Sequence, residues 1–414
     1  MDIPPDWIPR HLAPMLAEAM ADTPVVCILG ARQCGKSTLA RHIDAARPYY
    51  TFDDAKLSEL AAVDPAAFLA SLPDVLTLDE IQHAPALLPA IKMAVDRDRR
   101  PGRFLLTGSA NLLLLPKISE SLAGRMEVIH LHPFTEAEKE RRPGRLLDAL
   151  LAGTLRGSIT TGEPKPQDLV RRVLQGGYPE ALHRRAGRLR QWHRDYVRAL
   201  VQRDAPNVAN LRNLDHLVRL LEILAHQNAQ LLNVSTLCKH LEIRRETVEN
   251  NLAALERLFL IRRLPGWHPS ESRRLVKASK VYLVDSGLAA TLAGLQPDDW
   301  ITQRDRFGHL LEAFVVQQLI AQAGWTDPDL RFWHYRDKDQ VEVDLVITRG
   351  RETWGVEVKA ASTARGAAGQ GLRRLAEQCG KHFQRGIVFH SGVHTLPMAD
   401  KRFLAVPLTH LWSM

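Results

Sequence analysis

Short apolar runs alternate with helical patterns along the first third of the chain. Residues 25–29, 75–78 and 104–106 are mostly apolar, and more mixed runs lie at 49–52 and 126–131. Each run is followed by polar or acidic residues and then by helical spacing. Buried strands that alternate with helices are typical of a parallel sheet. The pattern predicts an α/β fold whose sheet lies near the amino end, after a helix within residues 1–24.

The pattern changes after residue 140. Residues 141–210 predict a connector and a basic helical lid, and residues 211–298 predict helices followed by a strand pair. Residues 299–414 predict a second α/β unit. Its helices are expected at 307–323 and 369–379, and its strands at 341–347, 353–359 and 386–389. With the first segment, 1–140, this gives four predicted domains.

Composition limits the classes of protein and partner. The chain has 414 residues, enough for about two to four domains. A net charge of +8 and an isoelectric point near 9.4 favour a polyanionic partner, nucleic acid before membrane. Four scattered cysteines without a C-x-x-C pair argue against a disulfide framework or a zinc site and favour a reducing compartment. Without a leader pattern or a long apolar run, we expect a cytoplasmic protein with no membrane partner.

A glycine-rich loop follows the first apolar run. Residues 30–38, GARQCGKST, fit the pattern G-x-x-x-x-G-K-[ST] in full. The predicted strand before it and helix after it disfavour a chance match. Lys36 is expected to neutralise the β- and γ-phosphates of ATP, and the Ser37 hydroxyl to ligate Mg²⁺. The predicted nucleotide-binding residues are Gly30, Arg32, Gln33, Cys34, Gly35, Lys36, Ser37 and Thr38.

Two adjacent carboxylates end the strand predicted at 75–78. Asp79 is expected to hold Mg²⁺, and Glu80 to accept a proton from the attacking water. A structural alternative is that the pair caps a helix at 86–97. The strand at 104–106 leads to Ser109 and Asn111, either of which can orient the water or contact the γ-phosphate. We expect this role for Ser109.

Three segments together resemble the AAA-type P-loop ATPases, specifically prokaryotic ATP-binding proteins with a G-x-R-Q-x-G-K-[ST] loop, an L-D-E-I-Q segment and an L-T-G-S strand end. They lie at residues 30–37, 78–82 and 106–109, and the resemblance covers about residues 10–140. It implies an ATP-hydrolysing machine that uses ATP and Mg²⁺ and works as a homo-oligomer.

The resemblance also implies a further arginine in the lid region. Arg125 and Arg203 are the candidates, and Arg125 would stabilise transition-state charge in its own subunit or in a neighbour. The alternative is an exposed arginine without a catalytic role. For Arg10, we expect a solvated charge or an approach to the nucleotide.

Residues 211–298 resemble a winged helix. A helix at 244–259 is expected to bury its apolar residues and to present Arg244, Arg245, Thr247, Asn250 and Asn251 on its other face. Such side chains read the major groove of DNA in helix-turn-helix proteins. The alternative is a module that contacts proteins or packs between domains.

Residues 299–414 resemble the PD-(D/E)xK nucleases, close to the branched-DNA resolvases. The matching positions are Glu312, Asp344, Glu357 and Lys359, while Val343 stands where the motif name has proline. The resemblance implies that the three carboxylates hold Mg²⁺ and that Lys359 positions or activates water. Glu342 is expected on the opposite face of the sheet. The alternative is a decayed nuclease fold retained for binding.

These expectations combine into a primary hypothesis and its alternatives. The primary one is an ATPase that acts on duplex or branched DNA, with a terminal Mg²⁺-dependent nuclease domain that binds or cleaves it. The main alternative is a nucleotide-controlled DNA- or protein-binding switch with an inactive nuclease fold. A remodeller of protein partners is the third.

Overall fold

The computed structural model describes residues 7–109, 122, 124–159, 165–208, 213–270, 278–363 and 369–414. The candidate Asn111 lies outside these residues.

Five parallel strands form the amino-terminal sheet. They are β1 (Val25–Leu29), β2 (Tyr49–Thr51), β3 (Leu76–Asp79), β4 (Phe104–Gly108) and β5 (Met126–His130), in the order β2-β3-β4-β1-β5. Every position of β1 is buried, since alternate side chains enter apolar clusters on the two faces of the sheet. The predicted parallel sheet is confirmed. The carboxyl ends of its strands meet at one edge, where the phosphate loop lies.

Helices pack around this sheet and extend beyond it. Those of the first part are α1 (Ala13–Asp22), α2 (Lys36–Ile43), α3 (Ala55–Val63), α4 (Pro65–Ala70) and α5 (Leu87–Arg97). They are followed by α6 (Glu136–Lys139), α7 (Leu146–Leu151), α8 (Pro166–Gln175), α9 (Ala186–Arg203) and α10 (Ala205–Val208). The expected connector at 141–175 therefore contains helices, and α7 is held in the core by buried leucines.

The middle module contains helices and a small antiparallel sheet. Its elements are α11 (Leu214–His226), β6 (Gln230–Leu231), α12 (Val234–Leu241), α13 (Arg245–Arg257), β7 (Ile261–Leu264) and β8 (Lys280–Leu283), and the strand order is β6-β8-β7. α12 begins because the Asn233 side chain accepts a hydrogen bond from the Thr236 backbone N–H. Glu242, in the left-handed conformation, makes the tight turn between α12 and α13.

The terminal unit is a mixed sheet with a long buried helix. The chain enters it through α14 (Ser286–Leu292), α15 (Asp299–Thr302) and the long helix α16 (Arg304–Thr326). The strands are β9 (Arg331–Arg336), β10 (Glu342–Arg349), β11 (Glu352–Val358), β12 (Phe383–His390), β13 (Leu396–Pro397) and β14 (Phe403–Pro407), in the order β13-β14-β12-β11-β10-β9. The helices α17 (Gln370–Cys379) and α18 (His410–Ser413) complete it.

The three parts share apolar packing. A single cluster of buried side chains includes Leu16 of α1, Leu221 of α11 and Val356 of β11. Burial of this kind is the main favourable contribution to folding. The amino-terminal sheet and its helices are therefore packed against the rest of the chain.

Candidate functional site

The phosphate loop is shaped by close backbone contacts. A Cβ atom on Gly30 would lie 2.1 Å from the Leu131 carbonyl oxygen, so no larger residue fits there. Gly35 has φ 101°, in the left-handed region that favours glycine. The Lys36 ammonium donates to the Ala31 carbonyl at 3.0 Å and is buried. The loop is therefore already curled around its own lysine.

Ser37 and Asp79 lie side by side at the edge of the sheet. Ser37 Oγ donates to Asp79 Oδ1 at 2.8 Å, and Thr107 Oγ1 donates to the same oxygen at 2.5 Å. Thr51 Oγ1 donates to Asp79 Oδ2 at 3.2 Å. A hydroxyl and an oriented, buried carboxylate are hard oxygen ligands, so these residues fit an Mg²⁺ ion bound with nucleotide.

Glu80 is held in a strained conformation beside this pair. Its φ is 55°, a left-handed value that a residue with a side chain adopts at an energetic cost of about 1–3 kcal/mol. Gln82 Nε2 hydrogen bonds to Glu80 Oε2 and also donates to Ser109 Oγ at 2.8 Å. Neither carboxylate caps α5, whose N-cap is Ala86. The capping alternative is therefore wrong, and Glu80 and Ser109 are joined through one amide.

Gln82 and Thr107 are site residues that the sequence analysis did not single out. Gln82 connects Glu80 with Ser109, and Thr107 donates to Asp79 while accepting from the Glu80 backbone N–H at 3.1 Å. Both lie inside the segments that carried the family resemblance. Their position within these segments is the sequence feature from which both residues could have been predicted.

A cleft of about 750 Å³ lies in front of the loop. Gln33, Gly35, Lys36, Ser37, Thr38 and Glu80 line it together with the larger side chains of Trp7, Ile8, Phe134 and Leu182. Polar groups beside apolar and aromatic walls are typical of a cofactor site. The arrangement suits a polyphosphate with an attached base.

Arg10 supports the phosphate loop from within the fold. Its Nη1 donates to the Cys34 carbonyl at 2.8 Å, and its Nε donates to Glu138 Oε1 at 2.9 Å. Its guanidinium carbon lies 4.4 Å from the centre of the Phe134 ring. Arg10 is buried, so the expectation of a solvated charge is wrong.

Two residues of the loop direct their side chains away from the cleft. Arg32 Nη1 donates to both oxygens of Asp204, which follows α9. Cys34 Sγ is buried 3.4 Å from the Leu131 carbonyl oxygen, and burial raises the pKa of its thiol. Cys34 can therefore offer a phosphate its backbone alone, and the Arg32 side chain is directed to the end of α9.

The two candidate arginines lie at opposite ends of the parallel strands, Arg125 at the amino ends and Arg203 at the carboxyl ends. Arg125 precedes Met126, which pairs with Val25 at the amino end of β1. The sheet register therefore separates Arg125 from the phosphate loop and contradicts a role in its own subunit. Its Nε donates to Asp96 Oδ1 at 2.5 Å. Arg203 instead donates to Asp53 Oδ1 at 2.5 Å, just beyond the carboxyl end of β2.

The terminal carboxylates come together, but around a lysine from the middle module. Lys280 Nζ of β8 lies 2.8 Å from Glu312 Oε1, 3.6 Å from Glu342 Oε2 and 4.0 Å from Asp344 Oδ1. Glu342 and Asp344 are two residues apart in β10 and share a face. The expectation that Glu342 points to the opposite face is therefore wrong.

Internal donors also bond to the carboxylates of this cluster. Tyr282 O–H donates to Glu312 at 2.7 Å, and the Val358 N–H donates to Asp344 Oδ2 at 2.7 Å. The Glu357 carboxylate accepts from the backbone N–H groups of Gly369 and Leu372, at 3.3 and 3.2 Å, at the start of α17. Lys359 Nζ lies 3.5 Å from Glu357 Oε2.

The cluster does not fit the Mg²⁺ ion expected at Glu312, Asp344 and Glu357. The positive charge is already supplied by Lys280, and within the described parts of the chain no group of acids, histidines or cysteines is arranged to hold a metal. Burial, and then the charge of Asp344, raises the pKa of Glu312 to about 7. Burial lowers the pKa of Lys280, but Glu312 and then Asp344 outweigh it, and the net shift is upward.

The amino-terminal part of the chain matches a described protein family. Residues 22–139 match the family described as an AAA domain. This match supports an AAA-type P-loop ATPase. Residues 166–299 and 307–411 match two families that are each described as a domain of unknown function, DUF8612 and DUF4143. The winged-helix and nuclease resemblances have no counterpart in these descriptions.

Similar proteins extend over most of the chain. Uncharacterized proteins of Mycobacterium bovis and Mycobacterium tuberculosis are each 28% identical over 400 residues, which is 96% of this chain and 83% of theirs. A Walker-type ATPase of Pyrococcus abyssi is 17% identical with a TM-score of 0.44, covering 69% of this chain and 96% of its own. The RuvB Holliday junction branch migration motor of Thermotoga maritima is 18% identical with a TM-score of 0.29, covering 61% and 89%. Both scores lie below 0.5, and the ATPase assignment rests on the family match.

The described helices were also compared with what a bilayer requires. None is both long and apolar enough to cross a membrane.

Proposed function

We propose that this protein hydrolyses ATP with Mg²⁺ and that the bound nucleotide controls how its lid and middle module hold DNA, without cutting it. The observation that carries the proposal is the convergence of Lys36, Ser37, Asp79 and Glu80 at one edge of the sheet.

The hydrolytic step follows from the placement of these groups. Glu80 accepts a proton from a water molecule whose oxygen attacks the γ-phosphorus, while the bond to the β–γ bridging oxygen breaks. Lys36 places positive charge beside the phosphates, and Gln82 keeps the Glu80 carboxylate next to Ser109. Mg²⁺ bound at Ser37 and Asp79 would neutralise charge on the phosphate oxygens. The products are ADP and phosphate.

A route from the nucleotide to the middle module supports the switch. The Arg32 side chain bonds to Asp204, and the Tyr196 hydroxyl donates to the Arg32 carbonyl at 3.0 Å. Tyr196 belongs to α9, which packs against α11 and α14. A change in the loop on binding phosphates would therefore move the helix that contacts the middle module.

The exposed face of α13 supports DNA as the partner. The helix–strand–helix–helix–strand–strand order of this module is compatible with a winged helix, and Arg244, Arg245, Thr247 and Asn250 are exposed at the start of α13. Asn251, expected on the same face, is buried at 2%. The net charge of +8 also favours a polyanion.

The Lys280 cluster supports binding without cleavage. A nuclease of the resembled type needs carboxylate oxygens free for a metal ion. Here Glu312 and Asp344 face Lys280 instead, and backbone N–H groups donate hydrogen bonds to the Glu357 carboxylate. We therefore favour the inactive-nuclease alternative. For Arg125, a catalytic role is left only in a neighbouring subunit of a homo-oligomer, and the alternative is an arginine without a catalytic role.

The test combines ATP hydrolysis, DNA binding and cleavage in one preparation. We expect phosphate release that is stimulated by duplex or four-way-junction DNA and lost in Lys36→Ala. DNA affinity, measured at low salt by fluorescence anisotropy, should differ between ATP and ADP and fall in Arg244→Ala/Arg245→Ala. The matched control Arg219→Ala removes an exposed arginine elsewhere in the module.

Three outcomes would contradict separate parts of the proposal. No ATP hydrolysis would overturn the enzyme, and no DNA binding at low salt would overturn the partner. Mg²⁺-dependent cleavage that Asp344→Ala abolishes would overturn the inactive terminal domain.

A further inference from the structure

A separate cavity of about 570 Å³ lies where the ATPase sheet, the middle module and the terminal unit meet. Its lining includes residues 130–133 at the end of β5, strand β7, and residues 330–332 of the terminal unit. Most of the walls are apolar, among them Phe259, Ile320 and Phe332. Cavities with apolar walls and few polar groups at the junction of domains are usual sites for small ligands.

Arg262 of β7 lines this cavity and has no carboxylate partner among the described residues. Its Nη1 donates to the neutral side chain of Gln317 at 2.8 Å. The adjacent Arg263, by contrast, pairs with Glu256 at 2.5 Å and Glu249 at 3.7 Å. Burial lowers the pKa of Arg262 to about 10, so the group is charged at neutral pH. A half-buried cation without a counter-charge is unfavourable, and an anion in the cavity would relieve it.

The other polar groups at the cavity leave this charge uncompensated. His130 and His132 also line it, and the pKa of each is lowered, first by burial and then by the charge of Arg262. Both rings are therefore neutral at pH 7. Glu256 carries the sole carboxylate of the described lining residues, and it is engaged by Arg263. The cavity thus holds net positive charge within apolar walls.

We propose that this cavity binds a small ligand in which a carboxylate or phosphate is joined to an apolar body. Arg262 donates hydrogen bonds to the anionic oxygens, and Phe259, Ile320 and Phe332 contact the apolar body. Gly30 and Ala31 of the phosphate loop line the same cavity, so the ligand lies directly behind the nucleotide site. This site is distinct from the cleft that Lys36 and Glu80 line.

The test compares charged and neutral probes of equal chain length on the full chain. Sodium octanoate, octyl phosphate and 1-octanol are titrated by isothermal calorimetry into wild type, Arg262→Met and Arg219→Met. We expect at least one of the anions to bind saturably and about tenfold or more tighter than 1-octanol, because the neutral alcohol cannot form a bidentate ion pair with the guanidinium. Arg262→Met should weaken anion binding about tenfold or more. Arg219→Met removes the same charge from an exposed position and should bind as wild type does.

Several results would overturn the proposal. They are equal affinity for octanoate, octyl phosphate and 1-octanol, unchanged binding to Arg262→Met, an equal loss in Arg219→Met, and no saturable binding to wild type. If Arg262→Met loses its cooperative melting transition, the site is tested instead on wild type, by crosslinking a diazirine-bearing octanoate and mapping the adducts. Adducts on residues 256–265 or 320–332 support the site, and adducts confined to other segments overturn it. The relative affinities of the two anions identify the preferred head group.

Discussion

Arg32 Nη1 donates hydrogen bonds to both carboxylate oxygens of Asp204, at 3.0 and 3.1 Å, across 172 positions of sequence. The arginine belongs to the phosphate loop, and the aspartate directly follows α9. Burial disfavours the charged form of Arg32, but the charges of Asp204 and Glu80 outweigh it and raise its pKa. The contact joins the nucleotide site to the lid.

Asp204→Asn is expected to loosen the end of α9. Hydrogen bonds between charged groups contribute about 1.5–3 kcal/mol, and the neutral amide retains part of this. Backbone amide hydrogens near Tyr196 and Arg203 should exchange about tenfold faster, as measured by mass spectrometry. The control is Asp195→Asn, an exposed position on the same helix. Equal exchange in the two variants would show that the Arg32–Asp204 contact does not hold α9.

Glu80→Gln is expected to separate nucleotide binding from hydrolysis. The amide cannot accept the proton of the attacking water, so phosphate release should fall about 10²–10⁴-fold. Binding of a fluorescent ATP analogue should persist, whereas Lys36→Ala should lose it. Glu59→Gln, an exposed position on α3, should hydrolyse ATP as wild type does. A Glu80→Gln variant with the wild-type rate would remove Glu80 as the base.

Lys280→Met is expected to destabilise the junction of the middle module and the terminal unit. Removing one partner of a buried ion pair leaves the other uncompensated and typically costs about 3–5 kcal/mol. The melting temperature should fall, and the double variant Lys280→Met/Glu312→Gln should recover most of the loss. Lys239→Met, an exposed lysine of the same module, is the control. The ion cluster has no structural role if Lys280→Met and Lys239→Met melt alike.

Glu312 should make stability depend on pH in a defined direction. Its pKa is about 7 in the folded chain and 4.5 ordinarily, so the folded chain binds the extra proton between these values. The stability that this proton uptake by Glu312 contributes is fully present below pH 4.5, the ordinary pKa, and is lost as the pH rises to about 7. For one proton, the free energy of unfolding falls by up to about 1.4 kcal/mol per pH unit in this range.

The melting temperature of wild type relative to that of Glu312→Gln should therefore decline between about pH 5 and pH 7 and level off above. The same series with Glu59→Gln should show no such trend. A difference that rises with pH, or stays constant, would mean that Glu312 does not titrate as inferred.

The sequence predicted those parts of the site that are contiguous. The loop at 30–38 carries its glycines, lysine and serine in one run, and the strand before it places them at a sheet edge. Asp79 and Glu80 followed from the same argument, because parallel strands end at the same edge. The terminal helix and strands that hold Glu312, Asp344 and Glu357 were also predicted from periodicity.

The predictions that were wrong concern side chains whose surroundings are set by segments distant in the sequence. The register of β1 with β5 put Arg125 at the far edge of the sheet, and a strand of the middle module brought Lys280 to the terminal carboxylates. Neither pairing leaves a trace in local spacing. The error on Glu342 was different, since alternation along β10 was sufficient to place it beside Asp344.

The amino-acid sequence alone determined that the glycine-rich loop at 30–38 and the adjacent acids Asp79 and Glu80 share one edge of a parallel sheet, because strand direction and backbone geometry are local properties. Only the tertiary structure decided that Arg32 contacts the lid and that Lys280 compensates the terminal carboxylates. The physical reason is that an ionic group is directed by whichever opposite charge the fold brings within a few ångströms, and that choice is made by packing across the whole chain.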